Sequence, residues 1–215
     1  MTVDLQYSKA MSSSPAFDYL RARDEQRRQL RAAILDAAAL LLADSGLDGM
    51  SVRAIAGRVG ASTKVIYSQF GGKTGIVEAL YRDGFDRLAA DIGAAASVEG
   101  TVPERILNIA DAYRGFAVGS PAMYELMFGP RVRDLLPLPE HRNPVLGASQ
   151  VIHDLLRAGQ DEGTIRSGDA HVQTKFMWSA LHGTVSLELM HWFTEDEAVE
   201  NHRHLVRAAL SSLMV

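Results

Sequence analysis

Apolar residues recur along most of this chain at the three- and four-residue spacing of amphipathic helices, and strand-like alternation is nearly absent. The clearest stripe consists of Ile34, Ala37, Ala38, Leu41 and Leu42. It predicts a long first helix that begins near Asp24. Gly46 follows the stripe and is expected to end that helix as a C-terminal cap.

Two short helices are predicted next, each bounded by a serine and a glycine. Ser51 is placed to cap the first, which Gly60 ends in a left-handed turn. Ser62 is placed to cap the second, which stops at the glycine pair 71–72. Ala56 is small enough for two helix backbones to cross closely. The segment therefore predicts a helix-turn-helix whose last helix lies at the surface.

The remainder of the chain also has helical periodicity. Helices are predicted over 73–96, 103–119, 121–129, 144–162, 169–193 and 195–213, with an irregular loop over 130–142. The fold class is therefore all-α. We expect a flexible arm at 1–23, a three-helix DNA-binding domain at 24–72 and a helical ligand-binding and dimerisation domain at 73–215.

Composition narrows the class of protein. The chain has 215 residues, 47% of them hydrophobic, and no cysteine, which excludes disulfides and thiolate chemistry. No apolar run is long enough for a signal peptide or a membrane span. We therefore expect a cytoplasmic protein without a membrane partner.

Charge is divided unevenly along the chain. The net charge is -4, yet residues 21–82 contain ten Lys/Arg and six Asp/Glu, a local charge of +4. The other positions contain 12 basic and 20 acidic residues, a charge of -8. This division favours a basic DNA-binding segment on an acidic body.

The second short helix offers polar side chains to a duplex. Residues near the start of such a helix reach base edges, which points to Thr63 and Lys64, with Ser68 on the same exposed face. Ser51, Arg53, Tyr67 and Lys73 are better placed for phosphates. The alternative is a generic three-helix core in which Tyr67 and Phe70 are merely hydrophobic.

Residues 31–77 resemble the DNA-binding domain of the TetR (tetracycline-repressor) family. The resemblance rests on S-V-R-x-I-A-x-x-V-G at 51–60 and on A-S-x-x-x-I-Y-x-x-F-x-x-K at 61–73, with Ser62, Tyr67, Phe70 and Lys73 at the family's spacing. It implies base-facing positions at Thr63, Lys64 and Val65 and backbone contacts from Ser51, Arg53, Tyr67 and Lys73. Val65 departs from the family, which often has a small residue there.

A second resemblance lies downstream. Trp178 and His182-Gly183 match the C-terminal domain of a TetR subgroup named after these three residues, and 113–128 is similar to its middle segment. Candidate ligand-binding residues are the apolar and aromatic ones of these segments: Phe116, Met123, Tyr124, Met127, Phe128, Trp178 and His182. Their alternative role is ordinary core packing.

The last two helices, 169–213, are expected to form the homodimer interface. Apolar residues between Phe176 and Phe193 cover several helix faces, which requires burial on more than one side. Two helices from each chain would make a four-helix interface, as in TetR-like proteins. A two-fold dimer places its reading helices about 34–36 Å apart, close to one DNA turn.

These observations favour a repressor that a small, largely apolar ligand releases from operator DNA. A helical enzyme or carrier is the alternative, but no catalytic or cofactor motif is present. His202 and His204 lack the spacing of helical metal ligands, so we expect no metal. An architectural DNA binder fits poorly with the net charge. The arginines of 21–31 either reach the minor groove or form a solvated face.

Overall fold

The computed structural model describes residues 15–136 and 143–215, which fold as α-helices. The helices are α1 (Pro15–Gly49), α2 (Val52–Arg58), α3 (Thr63–Phe70), α4 (Lys73–Ala96), α5 (Val102–Gly119), α6 (Pro121–Phe128), α7 (Pro130–Leu135), α8 (Asn143–Asp161), α9 (Ala170–Leu189) and α10 (Glu195–Leu213). Within these ranges the only β-type pairing is an isolated bridge between Ile165 and Met214. The all-α prediction is confirmed.

The chain divides into two compact units between Ile76 and Val77. In the first unit, α1 packs on α2 and α2 on α3. The core of this unit contains the predicted stripe of α1 except the half-buried Leu41, together with Met50 and the inner residues of the two short helices: Ile34, Ala37, Ala38, Leu42, Met50, Ile55, Ala56, Ile66 and Phe70.

Helix α1 begins earlier than the sequence predicts. It starts at Pro15, so residues 15–23 are helical and do not belong to a flexible arm; residues 1–14 of that expected arm lie outside the described residues. Glu25 pairs with Arg28 at 2.8 Å and accepts from Gln29 at 3.1 Å. Such pairs three and four positions apart support a helix that has no apolar stripe.

The predicted turns at Gly60 and Gly71 are confirmed, whereas Gly46 interrupts α1 without ending it at the bounds given above. Gly46 interrupts α1 with φ 65° and ψ -174°, a conformation nearly restricted to glycine, and Gly60 and Gly71 have φ 67° and 72°. Ser51 caps α2 as expected, because its hydroxyl accepts from the amide of Ala54 at 3.1 Å. Both ends of α2 and the end of α3 are therefore fixed.

The second unit is a helical bundle around α5 and α9. Helix α9 packs against α5, α8 and α10, while α5 also contacts α6, α8 and α10. Its fully buried large side chains include Phe85, Leu88, Ile106, Ile109 and Tyr113.

Two boundaries in this unit differ from the predictions. Pro130 opens the short helix α7 inside the predicted irregular loop, because proline fits the first turn of a helix. Residues 137–142 of that loop lie outside the described residues. Helix α9 ends at Leu189, not at Phe193, because His191 adopts a left-handed conformation with φ 58°.

Candidate nucleic-acid interface and sensor core

The geometry of α2 and α3 presents α3 outward. Ile55 and Ile66 are completely buried, and the amide of Ala61 donates to the carbonyl of Ala56 at 2.9 Å across the turn. Because the inner face of α3 is held by Ile66 and Phe70, its other face meets solvent. This is the arrangement of a helix-turn-helix.

The exposed face of α3 gathers most of the predicted DNA-contacting residues. Ser62, Thr63, Lys64, Tyr67 and Ser68 are exposed, whereas Val65 is half-buried. Ser62 occupies the N-cap position of α3, but the prediction that its side chain caps the helix is wrong, because it makes no capping hydrogen bond. The Ser62 hydroxyl therefore accepts no hydrogen bond from the first backbone amides of α3.

Three other predicted residues border this face. Ser51 and Arg53 are exposed at the start of α2. Lys73 is half-buried, and its ammonium donates to the carbonyl of Leu47 at 2.6 Å. Lys73 thus joins the start of α4 to the end of α1, a role that sequence reasoning did not foresee.

One arginine of the basic stretch has a defined internal role. The Arg31 guanidinium donates to the carbonyl of Gln69 at 2.9 Å and lies 4.1 Å above the Phe70 ring. These two contacts hold the last turn of α3 against α1. Arg23 and Arg27 are exposed on the part of α1 that precedes its apolar stripe.

In the second unit, three polar atoms meet within an aromatic cluster. The Tyr124 hydroxyl lies 2.7 Å from His182 Nδ1, and the Tyr113 hydroxyl lies 3.0 Å from the same nitrogen and 3.1 Å from the Tyr124 oxygen. Tyr113 belongs to α5, Tyr124 to α6 and His182 to α9. One hydrogen-bonded triangle therefore connects three helices.

The electrostatics of this triangle favour neutral groups. Burial lowers the pKa of His182 below its ordinary value of 6.5, which favours a neutral ring. Burial also raises the pKa of Tyr113 and Tyr124. With neutral groups, each tyrosine hydroxyl can donate one hydrogen bond and accept others, and Nδ1 of the ring accepts or donates according to the tautomer.

Aromatic rings surround the triangle. The Phe128 ring lies 4.9 Å from His182, 4.8 Å from Tyr124 and 5.3 Å from Phe85, and Trp178 lies 5.3 Å from Tyr113. Of the seven predicted ligand residues, the structure joins Tyr124, Phe128, Trp178 and His182 in this cluster. Met123 and Met127 are buried, and Phe116 is half-buried on α5. Tyr113 was missing from the predicted set.

Two polar contacts fasten the helices next to this cluster. Arg114 of α5 binds Glu188 of α9 through two hydrogen bonds of 2.8 and 2.5 Å, and both side chains are largely shielded from solvent. His202 of α10 is buried between the Thr184 hydroxyl at 2.7 Å and the Ala110 carbonyl at 3.1 Å. His202 is therefore a structural histidine.

Comparison with protein families identifies both units. Residues 34–80 match the profile "Bacterial regulatory proteins, tetR family", and residues 106–213 match "Tetracyclin repressor-like, C-terminal domain". The chain belongs to the TetR family. It is therefore a DNA-binding transcriptional regulator. The narrower subgroup defined by Trp178, His182 and Gly183 stays a prediction.

Relatives of the TetR chain agree with this assignment. HTH-type transcriptional regulator Rv1816 of Mycobacterium tuberculosis is 27% identical over 204 residues, covering 81% of this chain and 86% of the relative. The Bacillus subtilis regulator YobS is 25% identical over 183 residues, covering 85% of this chain and 91% of the relative. These proteins are regulators of transcription.

Solved structures show the same fold. A protein of unknown function from Rhodococcus sp. RHA1 has a TM-score of 0.77 at 23% identity, covering 86% of this chain and 96% of that one. The TetR-family regulator PfmR of Thermus thermophilus has a TM-score of 0.63 at 23% identity, covering 83% and 97%.

The described residues hold neither a membrane-spanning helix nor a metal-binding cluster. In the ranges 15–136 and 143–215, no helix is long and apolar enough to cross a membrane. The same ranges contain no group of three or more histidine, aspartate or glutamate side chains arranged to hold a metal ion.

Proposed function

We propose that this TetR-family regulator is a homodimeric repressor that reads operator DNA with α3 and releases it when a small, largely apolar ligand binds the second unit. The observation that carries the DNA part is the polar, exposed face of α3 on a packed helix-turn-helix. The ligand part rests on the aromatic cluster with its three converging polar atoms.

The position of each residue on α2 and α3 indicates whether it would contact bases or phosphates. Thr63, Lys64 and Val65 lie in the first turn of α3, from which side chains reach base edges in the major groove. Ser51, Arg53, Ser62, Tyr67 and Ser68 offer hydroxyls and a guanidinium at the borders of that face, where phosphates would lie. Lys73 has one ammonium proton bound to Leu47 and two further donors for a phosphate.

Arg53→Ala and Lys64→Ala separate these two roles. Arg53→Ala should weaken binding to every duplex and reduce the slope of log K against log salt by about one, as for one lost phosphate contact. Lys64→Ala should change which sequences are preferred. Both are measured by fluorescence anisotropy on operator fragments selected from genomic DNA and on scrambled duplexes.

Arg157→Ala is the matched control for this experiment. It removes one exposed positive charge from α8 of the second unit and should leave both binding constants unchanged. Unaltered affinity and preference in the Arg53 and Lys64 variants would contradict the groove assignment. Lys73→Ala is a poorer test, since loss of the contact with Leu47 would also destabilise the first unit.

The ligand proposal is supported by the chemistry of the sensor core. A site that holds a largely apolar molecule needs aromatic and aliphatic walls with a few polar groups that fix its orientation. The cluster around Tyr113, Tyr124 and His182 has this composition, with two hydroxyls and one imidazole as its polar groups. FadR of Bacillus subtilis, solved in complex with stearoyl-CoA, shares the fold at 18% identity with a TM-score of 0.70, covering 85% of this chain and 98% of that one.

Release from DNA tests the ligand proposal. A panel of apolar metabolites and drug-like molecules is titrated into the protein–operator complex. At least one member should lower operator affinity about tenfold, a coupling of about 1.4 kcal/mol between two sites. His182→Ala should abolish that response while operator binding without ligand stays intact. A panel without any effect would argue against release by a small apolar molecule, and ligand-enhanced binding would indicate an activator or a co-repressor mechanism.

The dimer is proposed through α9 and α10. Both helices carry exposed apolar side chains, including Val172 at 59%, Phe176 at 46% and Leu205 at 45% exposure. Such residues on neighbouring helices are typical of an interface. A two-fold dimer would present α3 twice to the duplex, as a palindromic operator requires.

A further inference from the structure

The outer face of α10 carries charges that are sorted by sign. One surface depression follows this face and is lined by Asp196, Val199, Glu200, Arg203, His204, Arg207, Ala208 and Ser211. Its acidic members come first along the helix and its basic members follow. Asp196 and Glu200 are therefore two like charges four positions apart, and Arg203 and Arg207 are two more.

Within α10 this arrangement makes two like-charge pairs at i and i+4 and one opposite-charge pair, Glu200 and Arg203, at i and i+3. Like charges at i and i+4 destabilise a helix, and the helix dipole favours charged groups only in its first and last turns. Of the four charges, only Asp196 lies in a terminal turn, since α10 runs from Glu195 to Leu213. The Arg203 guanidinium has one weak neighbour, Asp111, at 3.9 Å, with both side chains exposed.

The charges on this face of α10 would be complementary to those of a second α10 helix packed antiparallel to it. In a two-fold pair of antiparallel helices, contacts join positions whose numbers have a constant sum. If the axis passes between positions 201 and 202, Glu200 faces Arg203 of the partner subunit and Asp196 faces Arg207 of the partner subunit. Val199 then faces His204 of the partner subunit. Every charge would meet its opposite.

Helix α9 has the same symmetry in its apolar side chains. Its exposed stripe consists of Val172, Phe176, Ser179, Gly183, Leu187 and the adjoining Met190. Reversal about position 181 places the outer Val172 opposite Met190 and Ser179 opposite Gly183, and it brings Phe176 opposite Ser186, beside Leu187. A Cβ built on Gly183 has open space around it, so packing within the chain does not require a glycine there.

We propose that α9 and α10 each pair antiparallel with their own counterparts, with Asp196–Arg207 and Glu200–Arg203 ion pairs setting the register between two copies of this chain. The register rests on the proposed homodimer and specifies how it is made. Large side chains at both ends of the α9 stripe would pack across the axis, while Ser179 and Gly183 allow the helices to approach closely. The charges on α10 would exclude shifted registers and chains with another charge pattern.

Charge reversal in the full-length protein tests this register. Glu200→Arg places arginine against Arg203 of the partner subunit twice, and Arg203→Glu places glutamate against glutamate twice. Each single variant should dimerise at least about tenfold more weakly than the unaltered protein in sedimentation equilibrium. The double variant E200R/R203E should recover the original dissociation constant, because both pairs are restored with exchanged signs.

Mixing the two single variants adds an independent measurement. A heterodimer of E200R with R203E has both ion pairs, so the mixture should dimerise more tightly than either variant alone. Asp91→Arg, an equal charge change on an exposed position of α4, serves as the control and should leave dimerisation unchanged. Circular dichroism and thermal melting monitor folding of each variant.

The outcomes separate the register from the function. Single reversals that leave the dissociation constant within about twofold would overturn the register. So would a double variant or a mixture that shows no recovery. If the unaltered protein is a DNA-binding dimer in those cases, the proposed function stands. A protein that is monomeric and ignores every duplex would instead refute the proposed function itself.

Discussion

Individual buried histidines connect the chemistry of the second unit to its stability. His202 joins α10 to α9 and α5 through Thr184 and the Ala110 carbonyl, and His182 joins α9 to two tyrosines. Burial, as the largest cause, lowers the pKa of both rings, and the Arg114 charge lowers that of His202 further. The Ala110 carbonyl, Asp111 and Glu188 act on His202 in the opposite direction.

The free energy of unfolding should therefore fall as the pH drops below 6.5, the ordinary histidine pKa. When the pKa of a histidine is lower in the folded than in the unfolded protein, its full contribution to the free energy of unfolding is present at pH values above the unfolded pKa. That contribution is lost on acidification, because the unfolded chain binds the proton that the folded chain refuses. The fall should reach at most about 1.4 kcal/mol per pH unit for each such histidine.

Urea unfolding at pH 7.5 and 5.5, at one protein concentration, measures this effect. His202→Gln should be less stable at pH 7.5, because it loses a buried hydrogen bond, but should show a weaker pH dependence. His191→Asn removes an exposed histidine and keeps a side chain that tolerates a positive φ, so its pH dependence should match that of the unaltered protein. An unchanged pH dependence in His202→Gln would contradict the assignment.

At the level of helices, the sharpest prediction concerns the interruption of α1. Gly46→Ala should lower the free energy of unfolding by about 1–3 kcal/mol, because a side chain is strained at φ 65° and ψ -174°. Gly57→Ala is the matched control. Position 57 is helical with open space around it, so alanine there should be neutral or stabilising by up to about 1 kcal/mol. Equal effects in the two variants would contradict the strain argument.

Helices with apolar stripes and clear end signals were predictable from the sequence. Ser51, Gly60 and Gly71 end or begin their helices where expected, and α4 and α10 have the predicted bounds. The start of α1 was not predictable in this way, because residues 19–29 are exposed and bury no apolar stripe. The end of α9 was missed because His191, and not glycine, takes the left-handed position, while the apolar residues continue to Phe193.

In the candidate sites, contacts between residues far apart in the sequence could not be predicted. Tyr124, Phe128, Trp178 and His182 were selected from their residue types, and the structure brings them together. The third member of the triangle, Tyr113, is defined by its distance to a ring 69 positions away. The Lys73 contact with the Leu47 carbonyl likewise depends on the meeting of α1 and α4. No local pattern encodes either contact.

For the whole molecule, the charge division of the sequence coincides with the two units. Residues 1–76 contain ten basic and seven acidic side chains, and residues 77–215 contain 12 basic and 19 acidic ones, so the charges are +3 and -7. Phosphates should attract the first unit and repel the second. Affinity for duplex DNA should then depend strongly on salt.

Raising the salt from about 50 to 200 mM should weaken operator binding by at least about a thousandfold, as for six or more phosphate contacts. Fluorescence anisotropy over this range provides the slope. The control is an increase in the concentration of an uncharged solute at constant ionic strength, which should leave the operator affinity unaltered. A slope near zero would mean that phosphate contacts contribute little, contrary to the proposed role of Arg53 and its neighbours.

The attachment of α3 has a consequence for protein engineering. Ile66 and Phe70 anchor the inner side of this helix, and Arg31 secures its last turn. Thr63, Lys64 and Ser68 are exposed and consequently do not contribute to the packing of the core. A library randomised at these three positions should retain folded proteins in high proportion, so new operator preferences could be selected without first repairing the scaffold.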